Sequence, residues 1–343
     1  MTTQKNTPVA RHDSVLISIL NWNTATVTLK CVASINEMLR ETTARVEILV
    51  IDNGSAKTDH TLLQAGLAST ASRLRCEPVN LGFTGGHNIA IELAIKEDFD
   101  FIWLVNSDTF IERGTLPALL TTMHSDPKCG ILSPVIMKMH DPGKLDFCGG
   151  FHDWQTRLST FPDSIDKYEH LRTQQPHNLW VLGTAAVSRT EALKQTGPLD
   201  NRLFAYYDDD ICARMAAAGW MCRIDFISTI RHVAIDRVED RKPYFFYLMQ
   251  RNHLIFWHTN TPKPYRRLLL PRLLNQAFFE VNRLYLQGKT ARADACMLAI
   301  GDFLCHRYGA PVLDRPVPLW MRMLGRLARL QQTKALAKVS LAA

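Results

Sequence analysis

No uninterrupted apolar run reaches the roughly 18 residues that a membrane-spanning helix needs, and the opening MTTQKNTPVARHDS lacks the apolar stretch of a secretory leader. Both absences predict a cytoplasmic protein with no spanning helix. Eight cysteines occur, at 31, 76, 129, 148, 212, 222, 296 and 305, without a CxxC pair or zinc-like spacing. They read as free thiols packed as small apolar residues. The chain has no GxGxxG fingerprint and no P-loop lysine, which argues against dinucleotide and P-loop sites. Zinc fingers, basic zippers and RNA-binding aromatic motifs are missing too, so nucleic acid is not an expected partner. Neither an internal repeat nor a low-complexity tract interrupts the 343 residues.

What is present is an ordinary globular composition, 46% hydrophobic and 21% charged, with a net charge of +7 that is unevenly spread. Residues 1–230 carry 21 Lys and Arg against 26 Asp and Glu, whereas residues 231–343 carry 19 against 7. The basic, Leu-rich and aromatic last third suggests an anionic partner, and a membrane surface or a lipid diphosphate suits it better than a bare duplex. Dimerisation, or packing on the rest of the chain, is the alternative use of the same helices.

Four apolar runs of strand length open the chain: Val15 to Leu20, Val46 to Ile51, Leu74 to Val79 and Phe101 to Val105. Helical stretches such as Ala25 to Leu39 and Asn88 to Lys96 lie between them, so the class is α/β with a mostly parallel sheet covered on both faces. Further on, strands are expected over Ile131 to Met137, Leu179 to Ser188 and Arg223 to Ile230, and a helix over Asp208 to Ala218. The polar stretch 152–178 reads as a loop or lid. Amphipathic helices follow near Tyr244 to His258, Pro271 to Leu286, Ala291 to Arg307 and Leu319 to Lys338.

Ligands of such sheets bind beyond the carboxyl ends of the strands, so each strand points at the residues after it. Those residues are Asn21-Trp22-Asn23, Asp52-Asn53-Gly54-Ser55, Asn80 to Asn88, and Asn106-Ser107-Asp108. Asp108 can coordinate Mg²⁺ or Mn²⁺ through oxygen, or cap the next segment. Asp52 can accept from a base or ribose, or close a turn. The loop Gly82 to Asn88 leads into a helix whose amides and dipole favour an anion, or is a plain tight turn. In Tyr206-Tyr207-Asp208-Asp209-Asp210, adjacent carboxylates repel one another, so the run suggests a nearby cation or a proton-handling role, or else a solvated helix start. Asp210 and Arg214 have the spacing of an ion pair on one helix face, which leaves Asp208 freer to act as a base.

Taken in order, VLISILNWN, VEILVIDNGS, NLGFTGGHN, FIWLVNSD, WVLGTAAVSR, GPLDNRLFAYYDDDICARMAAAGW and IRHV resemble glycosyltransferase family 2, more narrowly its rhamnosyltransferase-like members, over roughly residues 14–235. The resemblance implies a GT-A fold, Rossmann-like, over residues 1–240, with a nucleotide-sugar half at 14–130 and an acceptor half at 131–240. Residues 241–343 form a basic helical region outside it. It implies donor contacts at Asn21, Trp22, Asp52, Asn53, Gly85, Asn88 and Asn106, and acceptor contacts at Gly183, Thr184 and Asp209. Asp108 and His232 would hold Mn²⁺ or Mg²⁺, and Asp208 would be the general base of an inverting transfer. In two places the sequence departs from the family pattern: Asn-Ser-Asp carries one acid where many relatives have two, and Tyr207 stands where Glu is usual. The implied donor is dTDP-rhamnose or else a UDP-sugar, and the implied acceptor a glycan or polyprenyl-diphosphate-linked glycan of the cell surface. Two other functions fit the sequence less well. A sugar-phosphate nucleotidyltransferase would need a basic Gly-rich loop where Asn21-Trp22-Asn23 stands, and a non-catalytic nucleotide-sugar binder would leave the acid run without a task.

Overall fold

A computed structural model describes the backbone of residues 12–207, 209–233 and 241–342, and their side chains apart from Pro142 and residues 331–342. The chain alternates first as β1 (Ser14–Asn21), α1 (Ala25–Leu39), β2 (Arg45–Asn53), α2 (Lys57–Leu67), β3 (Arg73–Glu77), α3 (Gly82–Lys96) and β4 (Phe101–Asn106). It continues with β5 (Thr109–Ile111), α4 (Thr115–Ser125), β6 (Cys129–Lys138), β7 (Asp141–Phe147), β8 (Gly150–Asp153), β9 (Leu158–Thr160), α5 (Ile165–Gln174) and β10 (Leu179–Trp180). Then come β11 (Val187–Arg189), α6 (Thr190–Thr196), α7 (Asp209–Ala217) and β12 (Met221–His232). Four helices end the chain: α8 (Pro243–Asn260), α9 (Leu269–Leu286), α10 (Thr290–Leu304) and α11 (Leu319–Ala342).

The main sheet runs β3-β2-β1-β4-β11-β6-β12-β5, and β7 also pairs with the last residues of β6. β1 to β4 are parallel, β11 runs against both its neighbours, and β12 is parallel to β6. Val15, Leu16, Ile17 and Ile19 of β1 are all fully buried although successive side chains point to opposite faces, so helices cover the strand on both sides. The order reverses between β1 and β4, and a crevice opens beyond their carboxyl ends.

Two expected loops are structured. The stretch 152–178 holds β9, α5 and part of β8, and β8 pairs with β9 and β10 in a second small sheet. Tyr168 is the one buried residue of α5, and Ser164 caps it by accepting from the Lys167 amide, so a polar sequence masks a capped helix. Helix α3 starts at Gly82 rather than near Asn88, because Asn53 Oδ1 and Asn80 Oδ1 accept from the Leu81 and Gly82 amides and initiate it. The expected strand Leu179 to Ser188 is broken by a 3₁₀ turn at Gly183–Ala185.

The four last helices bury a second core, to which Leu203 belongs. Arg251 and Asn252 of α8 are fully buried without an acid between them. Arg251 donates to the carbonyls of Arg202, Leu203 and Gly309, and Asn252 to those of Leu203 and Ala205. These bonds fasten the helical region to the segment before α7, in which Phe204, Tyr206 and Tyr207 all have left-handed backbone.

Candidate active site

Asn21, the last residue of β1, pairs in register with Asp52, the next to last of β2. Asn21 is fully buried, and its amide nitrogen donates to Asp52 Oδ1 at 3.2 Å and Asp59 Oδ2 at 2.9 Å, while its oxygen accepts from Thr28. The side chain of Asn21, an expected donor contact, holds the ends of β1 and β2 and the start of α1 together. Asp52 Oδ2 lies 2.8 Å from His60 Nδ1. Burial raises the Asp52 acid, but hydrogen bonds from Ser55, His60 and Asn21 outweigh it and keep the group below its ordinary value.

Beside these residues lies a cleft of about 390 Å³, bounded by Trp22, Asn53, Asn80, Gly82 and Phe83 on the sheet side and by Tyr206, Tyr244, Leu248 and Pro311 on the other. Trp22 is half exposed at its rim. Gly82 needs its hydrogen: its φ is +75°, and a Cβ would stand 2.3 Å from the Phe204 carbonyl oxygen. The Thr84 amide donates to that same carbonyl, and with the Leu81 and Gly82 amides also engaged, three donors at the start of α3 already have protein acceptors. Asn88 is likewise committed elsewhere, bonding Leu199 on both amide atoms and Asn201, and Gly85 faces Leu81 and Asn201.

A second group forms where β5 pairs with β12, setting Thr109 opposite His232. Asp108 Oδ1 comes within 3.4 Å of His232 Nε2, and Asp146 Oδ2 within 3.4 Å of His232 Nδ1. Burial pulls the imidazole down, but the two carboxylates more than reverse it and push it up to about 9. Asp146, on β7, escaped sequence reasoning because no motif marks it. The two carboxylates face different ring nitrogens, so the imidazole bridges them, and Asp108 with His232 Nε2 is the pair whose oxygen and nitrogen lie together on one side, a hard set that suits Mn²⁺ or Mg²⁺. Asn106 ends β4 beside them, its carbonyl accepting from Thr109, and Ser107 meets Thr24 across the crevice.

Position 208 lies outside the described residues, but both its neighbours are placed. Tyr207 donates to or accepts from His253 Nδ1 at 2.8 Å, and burial with the nearby Asp209 raises its phenol well above 10. Asp209 is buried, its Oδ2 3.1 Å from His152 Nε2. That imidazole is packed among Trp154, Trp180, Phe256 and Trp257. Asp210 accepts from Arg214 and Asn260. Tyr206 faces the first cleft, whereas Tyr207 lines another of about 480 Å³ between α8, α9 and α10, with Phe246, Gln250, His253, Gln276 and Glu280. Gly183 and Thr184 are buried against β4, with Gly183 turned to the apolar interior, so neither stands in either cleft.

The family model described as glycosyl transferase family 2 matches residues 14–195. Among curated proteins, the N-acetylglucosaminyl-diphospho-decaprenol L-rhamnosyltransferase of Mycobacterium tuberculosis is 28% identical over 200 residues, a stretch covering 51% of this chain and 62% of that protein. The match thus spans less than two thirds of the relative. Similar solved structures include the mannosyltransferase PcManGT from Pyrobaculum calidifontis in complex with GDP-Man and Mn²⁺, with TM-score 0.55, 15% identity and coverage of 87% of this chain and 89% of that one. S. aureus TarS 1-349 in complex with UDP-GlcNAc gives TM-score 0.55, 15% identity and coverage of 92% and 87%. At such identities the likeness establishes the fold, which is GT-A with an added helical C-terminal region.

Proposed function

This chain belongs to glycosyl transferase family 2, and from that membership we propose that it is an inverting, divalent-metal-dependent glycosyltransferase. Its donor is dTDP-rhamnose, with a UDP-sugar as the next choice, and its acceptor is a polyprenyl-diphosphate-linked glycan of cell-surface polysaccharide. The observation that carries the reading is the gathering, along one sheet edge, of Trp22 and Asp52, the Asp108–His232–Asp146 group, and the segment leading into the acid run. Rhamnose and the lipid-linked acceptor are taken from the M. tuberculosis relative.

In this reading Trp22 stacks on the base at the cleft rim, and Asp52 and Asn53 orient base and ribose. Asp108 and His232 would hold Mn²⁺ or Mg²⁺, which when bound supplies Lewis-acid stabilisation of the leaving diphosphate, while Asp146 orients the imidazole from its other nitrogen. Asp208 takes the proton of the acceptor hydroxyl as that oxygen attacks the anomeric carbon from the face opposite the diphosphate. Support for Asp208 comes from its neighbours, since Asp209 is buried against His152 and Asp210 is held by Arg214 and Asn260. The cleft beside Tyr207, with its mixed amide and aromatic lining, is the acceptor side.

Helix α11 adds a surface reading. Leu319, Trp320, Met323, Leu324, Leu327 and Leu330 are exposed in a helical stripe, and Arg322, Arg326 and Arg329 lie among them. An apolar stripe flanked by cations fits an anionic bilayer surface, where a lipid-linked acceptor resides. Among the described residues no helix is long and apolar enough to cross a membrane.

A thermal-shift series with UDP, dTDP and GDP, each with and without Mn²⁺, tests the reading. Ligand at 100 times Kd stabilises the fold by about 2.7 kcal/mol, so dTDP with Mn²⁺ should raise Tm most. A flat response to every nucleotide in both conditions would sink the proposal.

A further inference from the structure

Asp52, His60 and Cys76 come from three elements, β2, α2 and the neighbouring β3, and the parallel register sets Asp52 directly beside Cys76. His60 Nδ1 lies 2.8 Å from Asp52 Oδ2 and 3.9 Å from Cys76 Sγ, and one ligand atom from each residue falls within 4.8 Å of the others. The other Asp52 oxygen is held by Asn21, so the carboxylate is oriented from behind, as the outer partners of metal ligands usually orient them. Asp52 is buried, His60 half-buried and Cys76 exposed, which gives the group a fixed floor and an open side.

From this geometry we propose a zinc-class site on Asp52, His60 and Cys76, separate from the Asp108 group, whose occupancy antagonises nucleotide binding. The donor set decides the metal. A thiolate, an imidazole and a carboxylate select Zn²⁺ over Mg²⁺ or Mn²⁺, which prefer oxygen throughout. Zinc bonds of about 2.0–2.3 Å place tetrahedral ligands roughly 3.4 Å apart. The ion therefore enters by parting Asp52 from His60 slightly and drawing in the exposed thiol, while solvent keeps the fourth position. Binding releases the thiol proton to solvent, shifts the His60 proton from Nδ1 to Nε2 so that Nδ1 can ligate, and leaves zinc on the thiolate, with no redox change. Antagonism follows because Asn21 and Asp52 stand immediately before Trp22 and Asn53, which line the donor cleft. A metal on Asp52 withdraws the carboxylate from the base or ribose; this second half of the proposal rests on the donor reading, whereas the metal site does not.

The test titrates metal-free full-length protein with ZnCl₂ in excess Mg²⁺, which occupies oxygen-rich sites, using calorimetry and, with Co²⁺ in place of zinc, the thiolate-to-cobalt absorption band. The wild type should take one Zn²⁺ per chain through this site and show the band. Cys76→Ser should bind at least about 10-fold more weakly and lose the band, while Cys305→Ser, which removes the other exposed thiol, should behave as the wild type. No zinc uptake, or a Cys76→Ser titration indistinguishable from wild type, overturns the site. The second arm measures dTDP affinity with and without zinc. A zinc-induced loss in the wild type that is absent in Cys76→Ser supports antagonism, and zinc binding through Cys76 with unchanged dTDP affinity overturns it. If dTDP fails to bind even the metal-free and the Mn²⁺-loaded protein, the donor reading falls, and the zinc titration still decides the site.

Discussion

At the scale of single residues, the two described acids of the run divide by their partners, Asp209 lying against His152 and Asp210 held by Arg214 and Asn260. Arg214 donates to Asp210 and to the carbonyls of Thr196, Gly197 and Pro198, so Arg214→Ala leaves the buried Asp210 carboxylate with Asn260 but no cation and takes a donor from three carbonyls. The expected loss is about 3–5 kcal/mol, read from urea unfolding midpoints. Asp208→Asn should leave folding and dTDP affinity near wild type while lowering turnover by about 10² to 10⁴-fold; wild-type turnover in this variant would remove the base assignment. The Asp210–Arg214 pairing was legible in the sequence from the spacing alone. His152 was not, because its link to Asp209 crosses 57 positions of chain and no local pattern announces it.

Among the elements, α3 shows how a loop-like sequence becomes a helix. NLGFTGG looks like a flexible turn, yet side chains of Asn53 and Asn80 cap its amides, and the Phe204 carbonyl closes over Gly82. Gly82→Ala meets both left-handed strain and that carbonyl, and should cost about 2 kcal/mol or more. Gly219→Ala, with φ +88° and nothing within 4 Å of a new Cβ, should cost only about 1 kcal/mol. Comparing the two thermal midpoints separates close packing from backbone strain. The α11 stripe makes a different prediction: the protein should sediment with vesicles containing anionic lipid at low salt and be released as ionic strength rises. A double change of Trp320 and Leu324 to Glu should abolish sedimentation and leave dTDP binding intact.

For the whole molecule, pH dependence follows from buried histidines. Burial lowers His87 to about 3, and burial with the nearby Arg157 and His152 lowers His253 to about 4, against an ordinary 6.5. Between those values and 6.5 the unfolded chain binds protons that the fold refuses, so stability falls as pH falls. The slope approaches about 1.4 kcal/mol per pH unit for each group. His232 adds no slope below 6.5: its raised value gives stability that is fully present there and is lost as pH rises from 6.5 to about 9. Urea midpoints at pH 7 and pH 5 should therefore differ, and His87→Gln with His253→Gln should flatten the difference.

The sequence by itself determined the alternation of β1 to β4 with their helices, the boundaries of α1, and the four helices after residue 240, since each rests on local periodicity. It also determined which strand ends carry Asp52, Asn106 and Asp108. Tertiary structure alone decided which of these residues face a cleft. Asn21 and Asn88 turned inward because the ends of β1 and β2 and the 199–201 turn need their amides, and Gly183 turned to the core because the strand around it breaks. It alone brought Asp146 to His232, and Cys76 to Asp52 and His60, where spacing along the chain had given no metal motif. The physical reason is common to these cases. Periodicity records which face of an element is buried, whereas a side chain's partners are fixed by strand order, register and the packing of distant segments.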